Sequence, residues 1–303
     1  QQINLLTGHT HFVYDIAISP NGRILASASW DNTARLWNLD NGQPIASSLQ
    51  HANWVQCVSF STDGKLLATG CNDNNAYTWD VPTILREAGL DELLTFEGHT
   101  APVNKIIHLR GAQRIMTCCE DGSLRMWNLK SGEQIGKDWR DGESVVNAIA
   151  LSPDGKQLAS GSKDGAVRLW NIDTGKVITK WTGHFWEVRS VRWNQDGGRV
   201  LSGSWDGRAR VWDVESGETI LAIEQINVFT GHAATVLDIA ISPNGRILAS
   251  ASWDNTARLW NLDNGQPIAS PLRHAKEAHC VSFLTDGKLL ATGCDDNNVY
   301  TWD

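Results

Sequence analysis

The chain has 303 residues, with 26 Lys and Arg against 34 Asp and Glu, a formal net charge of −8 and no basic run. That balance excludes a duplex nucleic-acid binder, whose affinity comes mainly from neutralising phosphates, and suits a neutral or basic partner. Six cysteines (Cys57, Cys71, Cys118, Cys119, Cys280, Cys294) lie in apolar runs without a CxxC pair, so they read as small core residues in a reducing compartment. No apolar run approaches the roughly 18 residues of a membrane span. The opening QQINLLTGHT is no signal peptide and no Asn-x-Ser/Thr sequon occurs, so a cytosolic protein and no membrane partner are expected. The missing initiator Met suggests a fragment or a processed product.

Residues 15–47 recur letter for letter at 238–270, a copy of 33 residues, so the chain is built from duplicated units. A His, or its replacement, precedes a Trp by 28 residues seven times: His9–Trp37, His51–Trp79, His99–Trp127, Gly142–Trp170, His184–Trp212, His232–Trp260 and His274–Trp302. The Trp-to-Trp spacings of 42, 48, 43, 42, 48 and 42 are those of four-stranded propeller blades.

In the first unit, residues 13–19 read as a strand, Pro20-Asn21-Gly22 as a turn, residues 24–29 as a second strand and Asp31-Asn32 as a tight turn. Residues 35–39 follow as a third strand, and residues 44–49 as a fourth, where an edge tolerates Pro44. Two connections are longer, each with 20 residues from Trp to the next His position. The first is expected to hold a helical turn at 83–88 before a strand at 93–96; the second follows Val214. Both read as enlarged outer loops.

These units resemble the WD40-repeat family over essentially the whole chain. The carriers are Gly8-His9, Gly98-His99, Gly183-His184 and Gly231-His232, with Trp79-Asp80, Trp212-Asp213 and Trp302-Asp303; the other four units close on Trp-Asn. The resemblance implies an all-β, seven-bladed propeller with four antiparallel strands per blade. Residues 1–303 form one domain, with blades at 9–50, 51–98, 99–141, 142–183, 184–231, 232–273 and 274–303 plus 1–8. Residues near 2–6 complete the last blade and close the ring.

Each unit repeats a Ser or Thr, an Asp and a Trp at fixed offsets: Ser27, Asp31 and Trp37; Thr69, Asp73 and Trp79; Thr117, Asp121 and Trp127; Ser160, Asp164 and Trp170; Ser202, Asp206 and Trp212; Ser250, Asp254 and Trp260; Thr292, Asp296 and Trp302. With the His this suggests a hydrolytic triad, but a hydrolase needs one nucleophile in one cleft, and the set recurs around the chain. Family similarity implies a structural His–Ser/Thr–Asp–Trp tetrad in each blade. Blade four has Gly142 in the His position, which predicts a donor-poor Asp164 and the softest blade. The remaining histidines have no metal-ligand spacing and no phosphate loop occurs, so no enzyme, no cofactor and no metal are expected.

Residues 9–80 and 232–303 differ at 13 of 72 positions, and nine of the differences fall among the ten positions 10–14, 53–56 and 72. By family analogy these lie on the propeller's top face. The turns expected on the opposite face are identical in the two copies, so drift in exposed loops does not explain the pattern. The same offsets around the ring give the candidate binding residues Phe12, Tyr14, Trp30, Trp54, Gln56, Asn72, Asn104, Glu120, Asn147, Lys163, Trp186, Arg189, Trp205, Leu237, Trp253, Glu277, His279 and Asp295. Aromatic and Arg side chains there suit a contact surface for a protein or peptide. The opposing reading is that Trp30, Trp205 and Trp253 fold down over the tetrads.

The sequence thus implies a non-enzymatic binding module, a monomeric propeller within a larger protein or complex. It resembles the sensor arrays of fungal incompatibility and signalling-NTPase proteins, which would place an NTPase domain in a parent chain, and the five-blade displacement of the copies hints at more than seven repeats there. A constitutive assembly scaffold like the G-protein β-like proteins and a glycan-binding propeller are the alternatives.

Overall fold

The computed structural model describes residues 2–86, 93–111, 113–215, 231–284 and 286–303, and within them seven antiparallel sheets form a ring. In the first sheet the strands Val13–Ile18, Ile24–Ser29, Thr33–Asn38 and Leu49–Gln50 run outward in chain order. The innermost strands neighbour one another all the way round, and the last, Ala278–Phe283, packs against Val13–Ile18. Six sheets have four strands, and the fifth has three among the described residues. Most of the enlarged loop expected after Val214 lies outside them.

The ring closes as the sequence implies. Gln2–Leu6 pairs antiparallel with Val299–Trp302, matching Leu5 to Tyr300 and Leu6 to Val299. The first strand therefore supplies the outer strand of the last blade, and Leu6 is buried at 1% exposure in the core between blades seven and one. The second strands read as near-continuous small residues because blades approach closely there. A Cβ added to Gly161 would lie 2.4 Å from the Val188 side chain of the next blade. Large side chains enter from the third strands instead: Trp37, Trp79, Trp127, Trp170, Trp212 and Trp260 are all fully buried.

The residue after each repeated Asp has a positive φ: 65° at Asn32, 75° at Asn74, 78° at Gly122, 77° at Gly165, 75° at Gly207, 65° at Asn255 and 72° at Asn297. Only Gly and Asn accept that left-handed position readily, which is why no other residue type fills it.

Two local expectations need correction. The fourth strand expected at 44–49 shrinks to Leu49–Gln50, with its copy at Leu272–Arg273, preceded by single bridges from Trp37 to Pro44 and from Trp260 to Pro267. Proline has no N–H for the ladder, so continuous pairing fails at the point where it should begin. The helical turn starts earlier than expected, at Val81–Leu85, because Asp80 caps it by accepting from the Thr83 N–H at 3.2 Å and a Pro occupies its first turn.

Candidate functional site

The tetrads form as geometric units in four blades. In blade one the Trp37 Nε1–H donates to Ser27 Oγ at 2.8 Å, Ser27 Oγ meets His9 Nε2 at 2.7 Å, and His9 Nδ1 meets Asp31 Oδ2 at 2.8 Å. The carboxylate can only accept, so Nδ1 carries the His9 proton and the Ser27 hydroxyl donates to Nε2. Blades three, five and six repeat this through His99, His184 and His232, with His–Asp distances of 3.1, 2.8 and 2.8 Å. Burial holds the His9, His184 and His232 imidazoles below their ordinary pKa. For Asp31 burial acts to raise the carboxyl, but hydrogen bonds from His9 and Thr33 outweigh it and hold the group well below the usual carboxylate range. The carboxylate held low by its hydrogen bonds and the buried imidazole position each other as paired structural groups, and the Ser hydroxyl is occupied on both sides.

Three blades depart from the tetrad. In blades two and seven Asp73 and Asp296 accept from Tyr77 Oη, at 2.6 Å, and from Tyr300 Oη, while His51 and His274 keep their bonds to Thr69 and Thr292 at 2.8 Å each. The tetrad there is divided into a His–Thr–Trp set and a Tyr–Asp pair. Blade four overturns the expectation of a donor-poor Asp164. Arg168, four residues later, reaches Asp164 Oδ1 at 3.1 Å and Oδ2 at 2.6 Å, and also bonds Asp141 at 2.7 Å. With no imidazole at Gly142, the guanidinium swings into the vacant side of the carboxylate. The signal was in the sequence: the fourth residue after each Asp is Arg in five blades and Tyr in blades two and seven.

The predicted face residues are positioned by a repeated β-bulge. In every innermost strand the register shifts across one residue, between Val13 and Asp15 in blade one and at the same place in the other six. The skipped residues are Tyr14, Gln56, Asn104, Asn147, Arg189, Leu237 and His279, and all seven line one central cavity. A bulge turns consecutive side chains the same way, so in every blade but the second the successor of the skipped residue lines the cavity as well.

These seven do not share one exposure. Gln56, Asn147 and Leu237 are buried. Asn104 and Asn147 donate to the Val146 and Val188 carbonyls of the next blade at 3.1 and 3.2 Å, and Gln56 donates to Asn72 at 3.1 Å. His279 faces Asp295 and stacks near Phe12 and Tyr14, whereas Arg189 crosses the mouth to donate to Tyr14 Oη.

Outside this ring Trp54, Trp253 and Trp186 are 40%, 42% and 64% exposed, and Glu120 and Lys163 are exposed as well. Trp30 and Trp205 are half-buried, with indole N–H groups that are covered and unpartnered. Neither packs merely on a tetrad. Trp30 stacks on Trp54 at 4.4 Å and 9°, and Trp205 lies 5.7 Å from Trp253. Trp253 is the duplicate of Trp30, yet its own blade offers Leu237 and its neighbour Glu277 where Trp30 has Tyr14 and Trp54. It turns back to Trp205 of the preceding blade.

Sequence reasoning missed the floor of the cavity. Lys105 Nζ bonds both Asp15 oxygens at 2.7 Å, and Arg192 bonds Asp238 at 3.0 Å. Asp15 and Asp238 also accept from the Val58 and Val281 N–H groups of the next blades, each at 3.1 Å. A cavity of about 50 Å³ lies among these residues, space for a few waters. The available signal was an acid or a lysine in the middle of an otherwise apolar innermost strand.

His99, Cys119 and Asp121 bring ligand atoms within 4.8 Å of one another. Burial pushes the Cys119 thiol up to about 12, and His99 and Asp121 already satisfy each other, so the group is an incidental part of the blade-three tetrad.

A ring of seven sheets, each stapled by a Ser or Thr to its Trp and in six blades by a His as well, defines a β-propeller of WD-type repeats. The family profile described as "WD domain, G-beta repeat" matches residues 1–38, 42–80, 90–128, 137–171, 175–213, 223–261 and 265–303. The chain belongs to the WD40 family. It is 44% identical over 159 residues to cross-pathway control WD-repeat protein 2 of Flammulina velutipes, covering 52% of this chain and 49% of that protein. It is 44% identical over 158 residues to small ribosomal subunit protein RACK1y of Oryza sativa subsp. japonica, covering 52% and 47%. A shorter match, 60% identical over 38 residues and 12% of each chain, is to small ribosomal subunit protein RACK1 of Trypanosoma brucei brucei. The chain thus spans about half the length of the first two relatives and far less of the third. Among the described residues no helix is long and apolar enough to cross a membrane.

Proposed function

We propose that residues 1–303 form one propeller domain that serves as an assembly scaffold for proteins, with its top face as a docking surface. One observation carries this reading: the bulge residues of all seven blades converge on one face, and the large exposed aromatics Trp54, Trp186 and Trp253 surround them. Large apolar side chains held in water are a cost that a partner removes. The RACK1 relatives, each named as a small ribosomal subunit protein, support the scaffold above the sensor array. The sensor reading draws on a different observation, the concentration of copy differences at this face. Six free, buried thiols suit a cytoplasmic setting.

The test is affinity recovery with the intact chain and with Trp54→Ala/Trp186→Ala, two exposed positions whose truncation leaves the core untouched. Loss of specific partners from the variant is expected; an unchanged set overturns the top-face site. Recovery of two proteins that bind together without competing distinguishes a scaffold from a single-ligand sensor.

A further inference from the structure

On the face opposite the bulges, the innermost strands of blades five, six and seven end in Trp193, Ile241 and Phe283. With Pro243 and Leu284 these side chains wall a groove of about 390 Å³. All but Pro243 are half-buried, so the apolar surface is recessed between the blades and does not project.

Leu284 stands where the duplicate blade has Ser61. Ser61 donates to Asp63 at 2.7 Å and accepts from the Leu66 N–H at 2.9 Å, bonds that a leucine cannot make. Leu109 occupies the same position in blade three, but there it is buried at 2%, whereas Leu284 keeps part of its surface in the groove. Blade seven thus forgoes two hydrogen bonds and gains an apolar wall that water reaches. Apolar surface held in water in this way suits a contact site.

Cations rim the groove. Its residues lead into hairpin turns that each end in a base: Arg199 after Trp193, Arg246 after Pro243 and Lys288 after Leu284. All three are exposed, and among the described residues none enters an ion pair. Neighbouring turns touch, since a Cβ added to Gly287 would lie 3.3 Å from Pro243. The pattern runs round the ring: every blade ends this turn in Lys or Arg, while only four of the seven turns hold an acid. The two acids nearest the groove, Asp196 and Asp286, accept from the Gly198 and Lys288 N–H groups, and Arg192 within it is matched by Asp238. Although the chain as a whole carries −8, this inner rim is locally positive.

We infer that this opposite face binds an acidic segment of a partner protein, with a large apolar side chain seated between Trp193, Phe283 and Leu284 and flanking Asp or Glu residues meeting Arg199, Arg246 and Lys288. An apolar groove fixes an anchor side chain, and unmatched cations accept carboxylates. Recessed walls receive a side chain but do not insert into a bilayer, and they offer nothing to a phosphate backbone. The surface goes beyond the top-face reading and does not depend on it.

The test is selection of random displayed peptides on the immobilised full chain, followed by titration of the enriched peptides against variants. Enrichment of peptides with a large apolar residue flanked by Asp or Glu is expected. These should bind Leu284→Ser about tenfold more weakly and Arg246→Glu about fivefold more weakly, with the Arg246→Glu loss recovered when a peptide acid is changed to Lys. Leu284→Ser reproduces the residue of the duplicate blade, and Arg246 is exposed, so neither change disturbs the fold. Trp54→Ala/Trp186→Ala should bind the same peptides unchanged, which keeps failure here separate from failure of the top-face site. Enriched peptides that need Leu284 but are neutral or basic overturn the acidic partner. Peptides indifferent to both Leu284→Ser and Arg246→Glu, or no enrichment at all, overturn the surface. Co-sedimentation with vesicles of phosphatidylcholine and phosphatidylserine that Arg246→Glu abolishes would make a lipid surface the occupant and overturn the protein partner.

Discussion

Arg168 bonds Asp164 through both terminal guanidinium nitrogens in the one blade whose histidine position is a glycine. In blade one the homologous Arg35 leaves its Nε buried and unpartnered, because His9 already holds the carboxylate. A single strand position thus serves as a reserve donor, used where the first donor is missing.

The energetics of blade four are set by unequal burial. The Arg168 side chain is 3% exposed, whereas Asp164 and Asp141 are 32% and 40% exposed. Removing the guanidinium leaves carboxylates that water reaches, so Arg168→Met is expected to cost only about 1–2 kcal/mol. Removing both acids strands a buried cation, so Asp141→Asn/Asp164→Asn is expected to cost more, about 3 kcal/mol. Urea unfolding of the two variants measures the order, and hydrogen exchange of Gln157–Ser162 localises it. A larger loss for Arg168→Met would mean the acids are not its essential partners.

Blades two and seven place the same demand on a phenol. Tyr77→Phe and Tyr300→Phe each remove the hydroxyl that Asp73 or Asp296 accepts from, and a loss of about 1–2 kcal/mol apiece is expected. Burial first, and then the adjacent carboxylate, push both phenols well above the ordinary tyrosine range. In an alkaline titration followed by ultraviolet difference absorbance, these two tyrosines should therefore ionise only as the ring unfolds. Ionisation of all three tyrosines in the folded protein would contradict the pairing.

What was legible in the sequence follows from chain separation. The Ser/Thr-to-Trp and His-to-Ser/Thr contacts recur at separations of 10 and 18 in blade after blade, so repetition alone exposes them. Ring closure was legible because a blade lacking its last strand and a spare strand at the other end are complementary. The Asp partners were harder, since His, Arg and Tyr compete for one carboxylate and geometry decides. The channel floor was not legible: Lys105 and Asp15 are 90 residues apart and meet only because two bulges turn toward one axis. The candidate face residues were chosen from where the copies differ and from the same offsets around the ring, which did not reveal their division into buried Gln56, Asn147 and Leu237 and exposed Trp54 and Trp186.

Closure makes the first strand a structural requirement. Leu6 packs with Val13, Leu25 and Trp37, and its backbone pairs with Val299. Leu6→Asp buries a charge with no partner, and deletion of residues 1–6 exposes the edge of Val299–Trp302. Both should lower the thermal midpoint and promote self-association through the freed edge, read by calorimetry and light scattering. A monomer of unchanged midpoint after deletion would show that the ring does not depend on this strand.

Acid sensitivity should have two stages. Burial lowers the His9, His184, His232 and His274 imidazoles, and pushes His108 down to about 4 from 6.5. Between those values the unfolded chain binds a proton that the native ring refuses, so stability falls as pH drops below about 6.5 and levels off once the native imidazoles protonate. The depressed carboxyls of Asp31, Asp206 and Asp254 act lower. Their contribution is complete above the unfolded value of 3.8 and is lost as pH falls further. His108 isolates the first stage, contributing about 3 kcal/mol of the loss by pH 4. It ends its innermost strand where the other six blades place Ile18, Phe60, Leu151, Trp193, Ile241 and Phe283, and its Nε2 is buried without a partner. His108→Phe should therefore flatten the decline between pH 6.5 and 4 by about one proton's slope and leave the lower stage unchanged. Urea midpoints measured across that range give the slope directly, and parallel curves for the two proteins would mean that His108 protonates in the native ring as readily as in the unfolded chain.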